Sequence, residues 1–137
     1  MEGQVEKINT LRNKISVIDK EILNLLNKRM VIAKEIGKLK STQKKKFYAP
    51  EREKKIIKSL TDKNKGPLPK ETLELIFNEI LIGSRNLQKR LTIAYLGPKS
   101  TFTHLSAIKN FGKSALFYPQ KTIGDVFREV EKKRVDY

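Results

Sequence analysis

The first forty residues carry apolar side chains at alternating steps of three and four. These positions are Ile8, Leu11, Ile15, Ile18, Ile22 and Leu25, followed by Ile32, Ile36 and Leu39. The spacing predicts one amphipathic helix, from about residue 5 to residue 40, with an apolar seam along its whole length. The same rhythm requires an apolar residue at position 29, where the chain has Arg29. Because a charge on a buried stripe is costly without a partner, this break in the seam marks a candidate functional position.

Two further helices are predicted before residue 91. Pro50, followed by Glu51 and Glu53, favours a helix start, since proline and acidic residues suit a first turn. This second helix covers residues 50–63 and ends before a turn that contains Gly66 and two prolines. A third helix begins near Pro69, and its apolar face is formed by Leu73, Ile76, Phe77, Ile80, Leu87 and Leu91. The sequence therefore predicts an all-α, long–short–long domain over residues 1–90.

The length of the first helix predicts a second chain. About 36 helical residues at 1.5 Å each form a rod of roughly 54 Å. A compact domain of about 90 residues has a diameter of only about 30 Å, so it cannot cover both ends of such a rod. Because the seam runs the full length, we expect an intertwined helical homodimer.

Composition narrows the function. The chain of 137 residues has no cysteine and one histidine, so thiolate and His-rich metal sites are excluded, and we expect neither a metal nor a cofactor. No apolar run reaches the roughly 20 residues that span a bilayer, and the N-terminus lacks a signal-like apolar core, so we expect a cytoplasmic protein without membrane association. The net charge of +15 comes mostly from scattered lysines, with one compact run at 44–46. We interpret it as solvated helix surface rather than a nucleic-acid-binding patch.

Three cations of the first helix need separate interpretation. Arg29 and Lys40 are eleven residues apart, and eleven steps of 100° return to within about 20° of one direction. Both therefore project to one side, three turns apart. Arg12 points about 100° away from Arg29, so a role for it favours a site other than the one formed by Arg29 and Lys40 on its own helix.

Four further polar residues interrupt or begin the other helices. Ser84 lies on the apolar line of the third helix, Gln88 lies one turn further, and Arg52 and Glu53 open the second helix. Each has an ordinary interpretation alone, as does Arg29, which could set helix register or pair with a buried carboxylate. Together, cations, one carboxylate, one amide and one hydroxyl on these faces favour a site for a small dianion.

Three segments carry a family resemblance. Residues 11–40, the sequence YAPERE at 48–53 and the sequence GSRNLQ at 83–88 resemble the all-helical AroQ-type chorismate mutase domain. The resemblance implies an intertwined dimer that converts chorismate to prephenate by an intramolecular Claisen rearrangement. It also implies that Arg29 holds a substrate carboxylate, that Arg12 is lent by the partner chain, and that Arg52 and Ser84 line the site.

The resemblance implies catalytic roles for three other residues. Lys40 and Gln88 would donate hydrogen bonds to the ether oxygen of the breaking bond, and Glu53 would accept one from the ring hydroxyl. One departure is Ala49, where family members commonly have an aspartate that caps the second helix and can contact that hydroxyl. Glu53 is therefore expected to serve alone.

Residues 91–137 carry a second resemblance. The stretch LTIAYLGPKSTF is similar to the opening of a prephenate dehydratase domain, with Ser100 in place of the usual second glycine. Residues 115–120 would form another strand and residues 122–135 another helix. The Thr-Arg-Phe motif of that family lies outside this sequence. We therefore expect an incomplete α/β segment, the N-terminal part of the dehydratase domain of a bifunctional protein of phenylalanine biosynthesis, without dehydratase activity of its own.

Two alternatives stay open at this point. A basic helical dimer that binds nucleic acid would place Arg29 and Lys40 on solvent-facing positions to meet phosphates. A mutase-like regulatory domain would bind the substrate without converting it. The presence of Lys40, Glu53 and Gln88 argues against the second alternative.

Overall fold

The first helix is longer than the sequence pattern predicted. A computed structural model describes residues 1–137, and helix α1 spans Glu2–Thr42. It begins three residues earlier and ends two residues later than expected. It stops where Lys44 adopts a left-handed conformation with φ of 51°. At 1.5 Å per residue, α1 is about 60 Å long.

The next two helices follow the predicted pattern. Helix α2 spans Pro50–Lys63 and helix α3 spans Lys70–Gln88. Pro50 occupies the first turn of α2, and Glu51 and Glu53 place negative charge near its N-terminus, where the helix dipole favours it. The turn between the helices is held by Asn64, whose Nδ2 donates to the carbonyl oxygen of Leu68 at 2.8 Å. The long–short–long arrangement is confirmed.

Helix α3 forms the centre of the helical part, because both other helices pack against it. From α1, only Ala33 and Gly37 are buried, and both lie in its C-terminal half. From α3, the buried apolar residues are Leu73, Leu81 and Ile82. The N-terminal half of α1 contributes none: its seam residues are between 49% and 64% exposed, namely Ile8, Leu11, Ile15, Ile18, Ile22 and Leu25.

The predicted C-terminal extent of the third helix was wrong. The sequence pattern placed Leu91 on the apolar face of the third helix, but α3 ends at Gln88 and the backbone of Lys89 is extended. Leu91 is instead 1% exposed in a separate small core with Ile93 and Ala115. An apolar residue at helical spacing fits either location, so periodicity alone could not distinguish them.

Residues 92–137 form a β-α-β-α unit. Strand β1 (Thr92–Leu96), helix α4 (Phe102–Phe111), strand β2 (Leu116–Gln120) and helix α5 (Ile123–Glu131) follow one another. The two strands are parallel, with Thr92 opposite Leu116 and Leu96 opposite Gln120. On the other edge of β1, the backbone N–H of Ala94 donates to the carbonyl oxygen of Tyr137 at 2.7 Å. The predicted α/β segment is confirmed, but its last helix was predicted to reach residue 135, whereas α5 ends at Glu131, before Lys133 with its left-handed φ of 56°.

This unit contacts the helical part directly. Tyr48 lies edge-on against Phe111 and Tyr137, with ring centroids 5.2 Å and 5.6 Å away. Arg90 Nε donates to the carbonyl oxygen of Ser114 at 2.8 Å, and Asn86 forms a hydrogen bond with the Ser114 hydroxyl. No helix is both long and apolar enough to cross a membrane.

Candidate active site

The break in the seam lies where α1 meets α3. Arg29 is half-buried, and its Nη1 donates a hydrogen bond to the hydroxyl of Ser84, the polar residue on the apolar line of α3. The Ser84 hydroxyl in turn donates to the carbonyl oxygen of Ile80 at 2.8 Å. The two polar residues that interrupt the apolar faces of α1 and α3 are therefore hydrogen-bonded to each other. The partner of Arg29 is a hydroxyl rather than a carboxylate.

A cavity of about 230 Å³ opens beside this pair, between α1, α2 and α3. Six of the seven predicted site residues line it: Arg29, Lys40, Arg52, Glu53, Ser84 and Gln88. Ala49, the position at which the resembled family commonly has an aspartate, also lines it. Apolar side chains of α1, α2 and α3 form the rest of the wall, including Ile32, Ile36, Ile56 and Leu81. The cavity is smaller than the roughly 300–1,000 Å³ of pockets for drug-sized ligands, so it suits a small molecule.

Arg12 is the predicted residue that lies elsewhere. It is exposed on the N-terminal half of α1 and does not line the cavity. Seventeen residues separate it from Arg29, which is about 26 Å along the helix axis. Within one chain, Arg12 therefore cannot reach this cavity.

Lys40 stands at one wall of the cavity. Its Nζ is 3.5 Å from the carbonyl oxygen of Phe47, at the limit of a hydrogen bond. Burial lowers the pKa of Lys40, as does the charge of Arg52, while Glu53 opposes both effects. Lys40 is thus a partly desolvated cation that gains from an anionic or electron-rich ligand.

Gln88, the last residue of α3, packs against α1. It lies against Gly37, where an added Cβ would come within 2.9 Å of the Gln88 Cα. Its Oε1 is buried without a hydrogen-bond partner. Because buried polar atoms normally have partners, this oxygen is an acceptor that a donor group of a ligand can satisfy.

Glu53 has a partner that the sequence analysis missed. The Nε atom of Arg85 lies 2.8 Å from Glu53 Oε1, and the two side chains are 5% and 17% exposed. Burial raises the pKa of Glu53, whereas Arg85, Lys40 and Arg29 lower it, and the net direction is upward. A signal for Arg85 existed in the sequence: it continues the ladder of Leu73, Phe77 and Leu81 at steps of four, so it belongs to a buried face.

The charges around the cavity favour a dianion. Arg85 compensates Glu53 by direct contact, which leaves Arg29, Lys40 and Arg52 as cations without a carboxylate partner of their own in this site. Guanidinium groups bind carboxylates by paired hydrogen bonds, and a partly dry cavity strengthens such bonds. The arrangement can bind a small molecule that carries two negative charges and further oxygen atoms.

Known protein families match most of the chain. The family model of type II chorismate mutases matches residues 11–89, and that of prephenate dehydratases matches residues 93–137. The chain belongs to the type II chorismate mutase family, and its last residues match the start of prephenate dehydratases.

This chain spans little more than a third of the length of the bifunctional relatives that it matches. The bifunctional chorismate mutase/prephenate dehydratase of Aquifex aeolicus is 46% identical over 137 residues, which cover 97% of this chain and 38% of that protein. The protein of the same description from Neisseria gonorrhoeae is 46% identical over 126 residues, covering 92% of this chain and 34% of that protein. The solved chorismate mutase of Thermus thermophilus (form II) is 37% identical, with a TM-score of 0.60, and covers 61% of this chain and 96% of its own.

Proposed function

We propose that residues 1–90 are a chorismate mutase domain, which converts chorismate to prephenate, and that residues 91–137 are the N-terminal segment of a dehydratase domain. The observation that carries the proposal is the single cavity that brings together Arg29, Lys40, Glu53 and Gln88. Family membership and the matched ranges 11–89 and 93–137 support the same division. The proposal includes a cytoplasmic location and a place in phenylalanine biosynthesis.

In the proposed reaction, Arg29 binds one carboxylate of chorismate and Ser84 holds the guanidinium in place. Arg52 adds positive charge at the mouth of the cavity. As the C–O bond breaks, negative charge grows on the ether oxygen, and Lys40 and the Gln88 amide donate hydrogen bonds to it. Donors aimed at charge that develops in the transition state accelerate a reaction more than donors to the ground state. The Glu53 carboxylate accepts from the ring hydroxyl.

The proposal also includes a homodimer in which Arg12 enters the partner's site. The support is the seam of α1, which is exposed over its N-terminal half although its spacing is that of a packed helix. Arg12 lies on this uncovered half, about 26 Å along the helix from Arg29, so only the cavity of a second copy is within its reach.

Nucleic-acid binding would require Arg29 and Lys40 to face solvent, and they do not. Arg29 and Lys40 are both half-buried and line the cavity. We therefore favour a small dianion over a phosphate backbone as the ligand of these two cations.

The direct test is prephenate formation by the whole chain and by Arg29→Ala. Loss of a charged hydrogen-bonding partner in a dry site should raise the transition-state free energy by at least about 3 kcal/mol. This corresponds to a decrease in kcat/KM of more than about 100-fold. Lys28→Ala is the matched control, because it removes an exposed cation one residue away. A parent without activity, or an Arg29→Ala variant as active as Lys28→Ala, would contradict the proposal.

A further inference from the structure

Arg85 is a buried charged side chain that the reaction described above does not use. It is 4% exposed, on the last turn of α3. Burying a guanidinium is costly, so its surroundings should explain why it is there.

Three groups contact the Arg85 guanidinium. Its Nε lies 2.8 Å from Glu53 Oε1, and its Cζ stacks over the Tyr48 ring, 4.3 Å from the centroid. Its Nη2 donates to the carbonyl oxygen of Asn110 at 2.9 Å. Asn110 lies at the C-terminal end of α4, outside the part of the chain that matches chorismate mutases. Arg85 therefore connects the carboxylate of the candidate site to the α/β unit.

The contact between the two parts is close around this point. Gly112 has φ of 80°, and an added Cβ there would lie 2.3 Å from a methyl carbon of Ile82. Arg90 and Asn86 bond to Ser114 on the same face. The end of α4 is thus seated against α3, and the Asn110 carbonyl is held where it can accept from Arg85.

Contact with one oxygen of Glu53 has a consequence for the other. A carboxylate has two oxygens, and Arg85 contacts Oε1, so we assign acceptance from a ligand hydroxyl to Oε2. A planar, rotationally restricted guanidinium fixes an orientation that a flexible ammonium does not.

We propose that Arg85 is a positioning residue for Glu53, and that the end of α4 supports this role by anchoring the Arg85 guanidinium. The inference rests on the proposed mutase function only for the role of Glu53; the contact itself does not depend on it. The α/β unit would thereby take part in organising a site formed by the three helices.

Removal of Arg85 should shift the titration of Glu53. The charged and titratable groups that face Glu53 are Arg29 and Lys40 of α1, Arg85 of α3 and Tyr48 before α2. Burial raises the pKa of Glu53, and Arg85 is the strongest opposing influence. Without Arg85 the pKa should rise further, so the carboxylate needed as acceptor is lost at a higher pH.

The experiment compares the whole chain with Arg85→Gln, Arg85→Lys and Arg90→Gln. We expect Arg85→Gln to move the acid limb of kcat/KM for prephenate formation upward by about one pH unit, with a lower kcat at neutral pH. Arg85→Lys keeps the charge but loses the planar contacts, so its limb should stay near that of the parent while kcat falls. Arg90→Gln is the matched control, because it removes a bond to the same α/β unit without touching Glu53; its profile should be unchanged.

A second readout separates the two proposals. The Glu53 carboxyl, followed by carbon NMR, should titrate about one unit higher in Arg85→Gln than in the parent. If the Glu53 titration shifts but the parent has no mutase activity, the proposed function is contradicted and the contact between Arg85 and Glu53 is still supported. An active parent whose Glu53 titration and acid limb are both unmoved by Arg85→Gln would overturn this inference alone, as would an equal change in Arg90→Gln. Should Arg85→Gln fail to fold, Arg85→Lys decides the matter, because a kcat equal to that of the parent would overturn the positioning role.

Discussion

The two halves of α1 share one apolar rhythm but have different surroundings. Residues 29–42 contact α3, bury Ala33 and Gly37, and carry two of the cavity cations. Residues 2–28 continue the same seam with no buried residue, and Leu25 at its end is 64% exposed. Because α3 is only about 28 Å long, it covers roughly half of α1. The comparison teaches that a periodic pattern specifies a packed face, while the length of the neighbouring elements decides whether the same chain can cover it.

The two halves of α1 also differ in the surroundings of their arginines. In the covered half, Arg29 has Ser84 as its hydrogen-bond partner and lies beside a cavity. In the uncovered half, Arg12 lies in the open beside an exposed seam. If a second chain covers residues 2–28, Arg12 would supply a cation to the cavity of that chain, as Arg29 does to the cavity of its own chain. The following predictions test this correspondence.

A charge on the uncovered seam should have the largest effect. Ile15→Asp should weaken dimerisation by at least about 3 kcal/mol, because a carboxylate would be buried at the interface without a partner. Activity should fall with it, since in the proposed dimer each site takes residues from both chains. Sedimentation velocity over a range of concentrations measures the dissociation constant.

Asn13→Asp is the matched control for that variant. Its charge change is the same, and its position is about 160° around the helix from residue 15. The dimer should survive this substitution. A parent that sediments as a monomer, or an Ile15→Asp variant that stays as tightly dimeric as Asn13→Asp, would break the comparison between the halves.

Gln88 tests the chemistry of the covered half. In Gln88→Glu the side chain donates only when protonated, because a carboxylate is acceptor-only. The variant should be active at acid pH and lose about 100-fold or more in kcat/KM as pH rises, the size expected for loss of one transition-state donor. The parent profile should be flatter on that side, since an amide does not titrate. Assays across about pH 4.5 to 8, with folding checked at each pH, measure the profile; coinciding profiles would remove Gln88 from the breaking bond.

One small substitution made in each half should have a smaller, local effect. Gly37→Ala adds a Cβ within 2.9–3.0 Å of the Gln88 Cα, Cβ and Cγ, whereas nothing lies within 4 Å of a Cβ at Gly3. We expect Gly37→Ala to lower the free energy of unfolding by about 1–3 kcal/mol, since overpacking forces the helices apart. It should also lower kcat by displacing Gln88.

Gly3→Ala serves as its control. It should change the free energy of unfolding by no more than about 0.5–1 kcal/mol, and in the stabilising direction, because alanine is the better helix former. Urea unfolding followed by circular dichroism compares the two. Equal effects of the two substitutions would mean that α1 and α3 do not approach closely at Gly37.

Local patterns were enough to predict the helices and much of the site. The seam defined α1, Pro50 and its acidic neighbours marked the start of α2, and the spacing of Arg29 and Lys40 placed them on one side of α1. Each of these signals lies within a few turns of one element. Six predicted side chains consequently line one cavity.

Long-range contacts explain what the sequence could not predict. The spacing of Arg85 places it on the buried face of α3, but nothing near it in the sequence identifies the groups that contact its charge. Its burial depends on Tyr48 and on the Asn110 carbonyl, 25 residues further along the chain. Leu91 was assigned to the wrong element for the same reason, since its neighbours Ile93 and Ala115 belong to a core that forms only when β1 and β2 meet.

The most direct test of the account is complementation between Arg12→Ala and Arg29→Ala. Each protein alone should be inactive, because every site in either homodimer lacks one arginine. After the two are mixed, unfolded and refolded together, each heterodimer should hold one site that lacks both arginines and one with both intact.

Random pairing then restores about a quarter of the parent's sites, as expected for a two-fold dimer with shared sites. The measurement is prephenate formation by the mixture, with heterodimers verified by native mass spectrometry. We predict recovery of activity toward that quarter. Inactivity of the mixture despite verified heterodimers would contradict the claim that Arg12 completes the site of the partner chain.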